Sequence, residues 1–337
     1  MNRAPIKTSK QSVTFLKKTK ANRLPTEGEI ARFRNSLLQS KWKIRDDVVS
    51  TSPAKQLFVT TQSLLNKDRL PYMEQLNEGS RYYEKTKNIN NVFKLGDKLP
   101  PGYSLAYCNP LSSEDELSID GYDNYHAPVI NDNIEFFKRR MWVGGSFVYN
   151  RNNPLRFGER LHFTETVQRL RTLSKGSLIF ADYKRSFEND AGVSITENRS
   201  LCYLASTYER KTTQTSQSFP DPGESISFTP SLISSFRMSA ITFNSHQIHY
   251  NHIYAREEEK YNGVVVEAPL LISVALQFWL NSPQGPISSI RSFKYKIVSP
   301  NFVDDKITMH MRRDSNTVKI WMLKEDSSVT FDSTLQL

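Results

Sequence analysis

Ser239-Ala240-Ile241-Thr242-Phe243-Asn244-Ser245-His246-Gln247-Ile248-His249-Tyr250 is the stretch whose residue types could do chemistry, and Ala255 follows six residues after His249. Three of the six histidines of the chain, His246, His249 and His252, fall within seven residues here. An imidazole is the one side chain whose ordinary pKa, near 6.5, lets it take and return a proton at working pH. Three readings of the cluster stay open at this level. It could be a metal site, but such sets close with a further Cys, His or carboxylate, and none is spaced to do so. It could be a group of polar residues on a loop and a helix face. Or it could be a catalytic base on a loop that precedes a buried helix.

The third reading needs that helix. Gly263 to Leu280 is the longest apolar stretch, and Glu267, Pro269 and Gln277 interrupt it, which argues against a membrane span. Pro269 suits a first helical turn, and from there through Leu276 to Trp279 the pattern is apolar nearly all round. Such a helix must be wrapped by something. The strand signals supply the wrapping: Gly145–Tyr149, Leu161–Leu170, Leu178–Phe187 and Ser200–Tyr208 in the first half, Ile307–Met311 and Val318–Leu323 in the second. A common offset of 146 residues relates Phe147, Pro154 and Glu159 to Phe293, Pro300 and Asp305, which points to a duplication. Each half is expected to be one helix in an antiparallel sheet. The fold class is therefore α+β, a double hotdog with an N-terminal helical extension, since Ile30, Phe33 and Leu37, then Ala54, Leu57 and Phe58, recur at helix spacing.

Charge narrows the function classes. The 337 residues carry 45 Lys+Arg and 35 Asp+Glu, a net +10 that suggests a polyanion binder. Seven of the basic residues lie before the first acid, Glu27, which leaves 38 against 35 for the rest. Residues 1–26, basic and rich in Ser and Thr, read as a mitochondrial transit peptide, or else as a basic tail that stays attached. The rest of the chain divides into 27–210 for the helical extension and a non-catalytic hotdog, 211–225 for a Ser/Thr/Pro-rich linker and 226–337 for a catalytic hotdog. Two distant cysteines, Cys108 and Cys202, suggest no disulfide framework and fit a reducing compartment. A nucleic-acid binder is the first rival reading, but neither a phosphate-cradling glycine loop nor an aromatic RNA-binding motif is present.

Ser239 to Ala255, continued by Tyr261-Asn262-Gly263-Val264-Val265-Val266-Glu267-Ala268-Pro269-Leu270, resembles the signature of the MaoC-like hotdog hydratases, Gly-Asp-x-Asn-Pro-x-His followed after five residues by Ala or Ser. Arg139-Arg140-Met141-Trp142-Val143-Gly144-Gly145, Pro154 to Glu159 and Trp42 to Val49 are similar to segments of the fungal mitochondrial type 2 3-hydroxyacyl-thioester dehydratases. The resemblance runs from about Trp42 to the C-terminus. It implies reversible dehydration of (3R)-3-hydroxyacyl thioesters to trans-2-enoyl thioesters in type II fatty acid synthesis in the mitochondrial matrix. It implies an acyl-carrier-protein or CoA thioester as partner, no cofactor, no metal, no nucleic acid, no stable membrane insertion, and a possible homodimer.

His249 matches the signature histidine and is the expected acid/base. Asn244 stands where the wider family has Asp, and an amide can orient a hydroxyl but not titrate. His246 falls at a substrate-contact position. Backbone N–H groups of Ala268 and Leu270, at the helix start, are the expected oxyanion donors. Glu267-Ala268-Pro269 replaces the usual His-Gly-Pro, making Glu267 a possible substitute acid. The first repeat carries no such cluster, so one site per chain is expected, with His126 as a loop residue, His162 as a strand residue and Trp142 as packing. A second rival is an acyl-thioester-binding hotdog that has lost catalysis, which Asn244 and Glu267 make plausible.

Overall fold

A computed structural model describes residues 19–46, 48–65, 92–128, 134–173, 176–205, 218–283, 285 and 290–337. Its frame is one antiparallel sheet of ten strands in the order β2-β5-β6-β7-β4-β9-β12-β11-β10-β8. The first five are Lys41–Asp46 (β2), Phe137–Tyr149 (β4), Leu161–Leu173 (β5), Leu178–Asn189 (β6) and Gly192–Ala205 (β7). The other five are Glu224–Phe228 (β8), Ser292–Ile297 (β9), Ile307–Asp314 (β10), Thr317–Lys324 (β11) and Val329–Gln336 (β12). From either edge inward, the sheet repeats one order about the β4–β9 seam. There Phe147 and Phe293, the two residues that defined the offset of 146, lie directly opposite each other. The double hotdog expected from the sequence is the fold observed.

Alternation of buried and half-buried residues along β5 and β6 shows why these segments are strands with one face on a core. Into the second half of the sheet runs Ala268–Asn281 (α4), with ten consecutive buried residues from Leu270 to Trp279. Pro269 starts it, Ser282 ends it and Pro283 comes next, the arrangement that stops a helix sharply. Each fully buried Leu, Ile or Phe along it is worth about 1.5–3 kcal/mol.

The first half departs from this plan. Backbone bonds between Leu99 N and Leu155 O mirror those between Val266 N and Asn301 O, so Leu99 stands where Val266 stands in the second half. After Leu99 the chain forms only a 3-10 turn, Tyr103–Ala106, in the position of α4. Thr51–Leu65 (α2), which comes after β2 as Leu232–Thr242 (α3) comes after β8, packs against α4 and α3. The stretch expected to be a helical extension therefore includes a sheet strand, β2, and a helix of the first hotdog. Only Glu27–Gln39 (α1) lies outside it, capped by Thr26 and Glu29.

Two expected boundaries also shift. Thr19–Lys20 (β1) pairs in parallel with Ile134–Glu135 (β3), and Arg23 bonds Glu29 at 2.8 Å, so residues 19–26 belong to the folded body. Glu224 and Ser225, assigned to the linker, begin β8. Residues 1–18 of the expected leader, 211–217 of the linker and 66–79 of the helical pattern lie outside the described residues. No helix among the described residues is long and apolar enough to cross a membrane.

Candidate active site

α3 aims the signature loop. Ser231 caps its start, and at its end Phe243 turns into the left-handed region (φ 52°) while the Asn244 N–H reaches back to Ser239 O at 2.9 Å. This fixes where Asn244 leaves the helix. A 3-10 turn, Gln247–His249, then turns His249 inward, and a π-turn, Tyr254–Glu258, whose start is capped by Asn251 Oδ1, delivers Glu259 to the same place. Single π-turns of this kind recur at functional sites.

A cavity of about 190 Å³ lies between the two halves, and Asn244, His246, His249 and Ala268 all line it. His249 is 8% exposed, and its Nδ1 lies 2.7 Å from Val265 O. A carbonyl only accepts, so Nδ1 carries the proton and Nε2 holds the lone pair. Burial, together with the adjacent His246 ring 5.5 Å away, depresses the His249 pKa to about 3, so the ring is neutral at working pH.

His246 behaves in the opposite way. Burial alone would lower its pKa, but Asp120 Oδ2 at 3.3 Å and Glu259 Oε1 at 3.7 Å raise it to about 9. His246 is therefore a buried cation held between two carboxylates, with its side chain 3% exposed. It also lines the cavity, beside His249. Asp120, despite burial, is held well below the usual carboxylate range by Arg140, whose Nε is 3.2 Å away, and by His246.

Asp120 comes from the first half, on a loop that docks onto the second. Asp120 O accepts from Gln247 N–H at 2.8 Å, Ile119 O from Gln247 Nε2 at 3.1 Å, and Gly121 O from Ser245 Oγ at 2.5 Å. At φ +81° Gly121 is left-handed, and a Cβ there would stand 2.4 Å from Ser245 O. Only glycine permits that approach.

Asp120, His246 and Glu259 offer three ligand atoms within 4.8 Å of one another, the arrangement a metal ion would need. The Arg140 guanidinium already occupies the Asp120 carboxylate, and with His246 charged the two cations balance the two acids. Arg140, Asp120, His246 and Glu259 thus form one buried ion network. Sequence spacing hid it because Asp120 lies 126 positions before His246.

Asn244 Oδ1 accepts from His246 N–H at 3.1 Å, which orients its amide. Glu267 does not line the cavity. Its carboxyl is buried behind Asn244, takes a very short bond from Ser239 Oγ, and is pushed by burial up to about 7 against the pull of Ser239 and His246. Leu270 departs from expectation. Its N–H is taken by Glu267 O at 3.1 Å and its side chain is buried in the core, so it is no oxyanion donor. Ala268, at the first helical position on the cavity wall, remains the candidate donor.

His126 and Trp142 are more than the loop residue and packing residue expected, for both line the same cavity. Trp142 Nε1 donates to Tyr295 Oη at 3.0 Å, and Arg199 lies 3.9 Å over its ring. His126 Nδ1 meets Glu165 Oε1 at 2.8 Å. His162 is a half-exposed strand residue, as expected. Sequence reasoning missed Glu165, Arg185, Glu197 and Arg199, although each falls on the apolar phase of an alternating strand, which was the available signal.

A duplicated hotdog sheet with a histidine and a helix N-terminus on one cavity defines the class of MaoC-like hydratases and dehydratases. A family model described as hydroxyacyl-thioester dehydratase type 2 matches residues 102–303, and the chain belongs to that family. It is 28% identical over 247 residues to the mitochondrial hydroxyacyl-thioester dehydratase type 2 of Schizosaccharomyces pombe, covering 66% of this chain and 80% of that one. It is 25% identical to the mesaconyl-C(4)-CoA hydratase of Chloroflexus aurantiacus, covering 71% and 84%. Among solved structures, a MaoC-like dehydratase from Phytophthora capsici superposes with a TM-score of 0.63 at 13% identity, covering 90% of this chain and 96% of that one.

Proposed function

We propose that the protein is a hydro-lyase that interconverts (3R)-3-hydroxyacyl and trans-2-enoyl thioesters, with His249 as its acid/base. The observation that carries this reading is the 2.7 Å bond between His249 Nδ1 and Val265 O, which leaves Nε2 as the free ring nitrogen of a residue that lines the cavity. In the dehydration direction Nε2 takes the α-proton, the C3–O bond breaks, and the proton returns to the departing hydroxide as water. Enolate charge growing on the thioester oxygen meets the Ala268 N–H and the positive end of α4. Asn244 orients the 3-hydroxyl. Charged His246 beside His249 helps keep that ring neutral.

Hydration of crotonyl-CoA tests the assignment. His249→Ala is expected to lose roughly 10²- to 10⁴-fold in kcat with the fold intact. Retention of near-wild-type kcat would remove His249 from the mechanism. A protein that binds acyl thioesters without turning them over is the second reading, favoured by the amide at Asn244, and the same assay on wild-type protein decides it.

The named compartment of the fungal relative and the basic leader support mitochondrial import and a role in type II fatty acid synthesis, with an acyl-carrier-protein or CoA thioester as substrate. Any cleavage falls before Thr19, because Thr19–Lys20 pairs with β3. N-terminal sequencing of protein from purified mitochondria checks both: a mature start at Met1 refutes a cleaved leader, and a start beyond Lys20 refutes this boundary.

A further inference from the structure

The duplication builds two pockets, one at each end of the β4–β9 seam, and the proposed reaction uses only one of them. In the second half, Val265, Ile297, Val298, Pro300 and Asn301 line the candidate active site. Their counterparts in the first half, Lys98, Arg151, Asn152, Pro154 and Leu155, line a separate pocket of about 530 Å³. The correspondence extends to the backbone, because Lys98 bridges Arg156 as Val265 bridges Phe302, and Arg156 and Phe302 are again 146 positions apart. Two equivalent positions differ in kind. Where the active cavity has the apolar Val265 and Ile297, this pocket has Lys98 and Arg151.

Arg291 joins them from across the seam, its O accepting from Tyr149 N–H at 2.9 Å and its N–H donating to Gln336 O at 2.8 Å. Arg151 stands on a turn that Asn150 pins. Asn150 Oδ1 accepts from the N–H groups of Asn152 and Asn153 at 3.1 Å and 3.3 Å, and its Nδ2 donates to Val193 O at 3.0 Å. Lys98 lies between the bonds of Phe157 N–H to Asp97 O at 3.0 Å and of Leu99 N–H to Leu155 O at 2.8 Å. The backbone of each cation is therefore held. In the active cavity Arg140 and Arg199 each meet a carboxylate. Here no Asp or Glu lines the pocket, and none of the three cations has an ion pair, among the described residues. Three like charges facing one space repel, and an anion between them relieves that cost. A second observation also points to a ligand: Ser194, which lines the same pocket, is 1% exposed and its Oγ has no hydrogen-bond partner.

We propose that this first-half pocket is a binding site for a nucleoside phosphate, with its phosphate groups among Lys98, Arg151 and Arg291 and its organic body against Leu99, Leu155 and Ile290. Arginine forks take two phosphate oxygens at once, and lysine adds a point charge. The volume lies in the range of small-molecule sites and exceeds what a lone phosphate fills. The ligand chemistry is shared by free nucleotides and by the nucleotide end of CoA. The site stands whether or not the other end of the seam turns over a thioester.

Calorimetric titration of the full chain with ADP, 3′-phospho-ADP and adenosine at low ionic strength is the test. Both phosphate-bearing ligands are expected to bind and to raise the melting temperature, and adenosine to do neither. Tighter binding of ADP would name free nucleotides as the source, and tighter binding of 3′-phospho-ADP the CoA end. The double substitution Arg151→Gln, Arg291→Gln, in two exposed side chains, should weaken ADP at least roughly tenfold. Lys294→Gln with Lys296→Gln, which removes two exposed cations from the outer face of β9, should leave ADP binding as in wild type. Failure of wild type to bind either phosphate ligand, which needs no variant to fold, overturns the proposal. So does binding of adenosine as tight as that of ADP, or an equal weakening by the two double substitutions, which would assign the binding to diffuse surface charge.

Discussion

The two halves of the sheet share one strand order and differ in what they hold. Where the second half packs Met311, Ile320 and Ser333 across β10, β11 and β12, the first half packs Glu165, Arg185 and Glu197 across β5, β6 and β7. The match is residue for residue, since Met311 lies 146 positions after Glu165 and the pairing sets the partners. The second half wraps α4, and the first has only the turn Tyr103–Ala106 in its place. The chain after Ala106 instead crosses the seam and delivers Asp120 to the signature loop. The second half carries the candidate base and the helix N-terminus, and the first supplies Asp120 and Arg140, which reach the ion network around His246.

The sharpest way to break this comparison is to exchange the ladders. Glu197→Ala should destabilise by about 3–5 kcal/mol, because it leaves Arg185 and Arg199 buried with part of their charge uncompensated. The combined change Glu165→Met, Arg185→Ile, Glu197→Ser, which writes the second half into the first, removes Arg185 with its acids and should cost less, its remaining cost lying in Arg199 and His126, which lose their carboxylate partners. Denaturant unfolding of both measures the gap, and a triple variant as unstable as the single one would refute the comparison.

Next in size is the coupling across the seam. His246 is charged up to about 9 in the fold against about 6.5 unfolded, so its contribution is complete below pH 6.5 and is lost as pH rises through about 9. Activity that depends on charged His246 should fall on the same alkaline limb. Asp120→Asn removes the main raising influence, so a pH profile of kcat/KM should show that limb moved toward neutrality. An unmoved limb would detach the first half from the chemistry.

The smallest expected effect is at the docking point. Gly121→Ala forces a Cβ onto Ser245 O in a left-handed backbone and should cost about 1–3 kcal/mol. Because the same shift moves Asp120 away from His246, kcat/KM should fall more than stability does, and thermal melting beside kinetics checks this.

Much of this molecule is legible along the chain. The all-round apolar pattern from Leu270 to Trp279, the proline that starts α4 and the alternation of the strands are local signals, and they fix helix, strands and duplication. Asn244, His246, His249 and Ala268 can be found because one short segment carries all four into the cavity. Leu270 escapes such reasoning because whether an N–H is free depends on which carbonyl it reaches. The leader boundary at residue 26 and the linker end at 225 fail for a similar reason: charge and polarity do not reveal that a short segment pairs with a distant strand.

The sequence by itself determined the fold class and the duplication, because periodicity and short spacing express local backbone and burial preferences, and its resemblance to the hydratase signature put His249 forward as the candidate base. Only the tertiary structure decided how that histidine is used. Asp120 and Glu259 reach His246, and Glu165 reaches His126, through contacts between distant segments. A pKa or an unpaired guanidinium is a property of the assembled surroundings: burial and facing charge set it, and neither exists until the two halves close on one cavity.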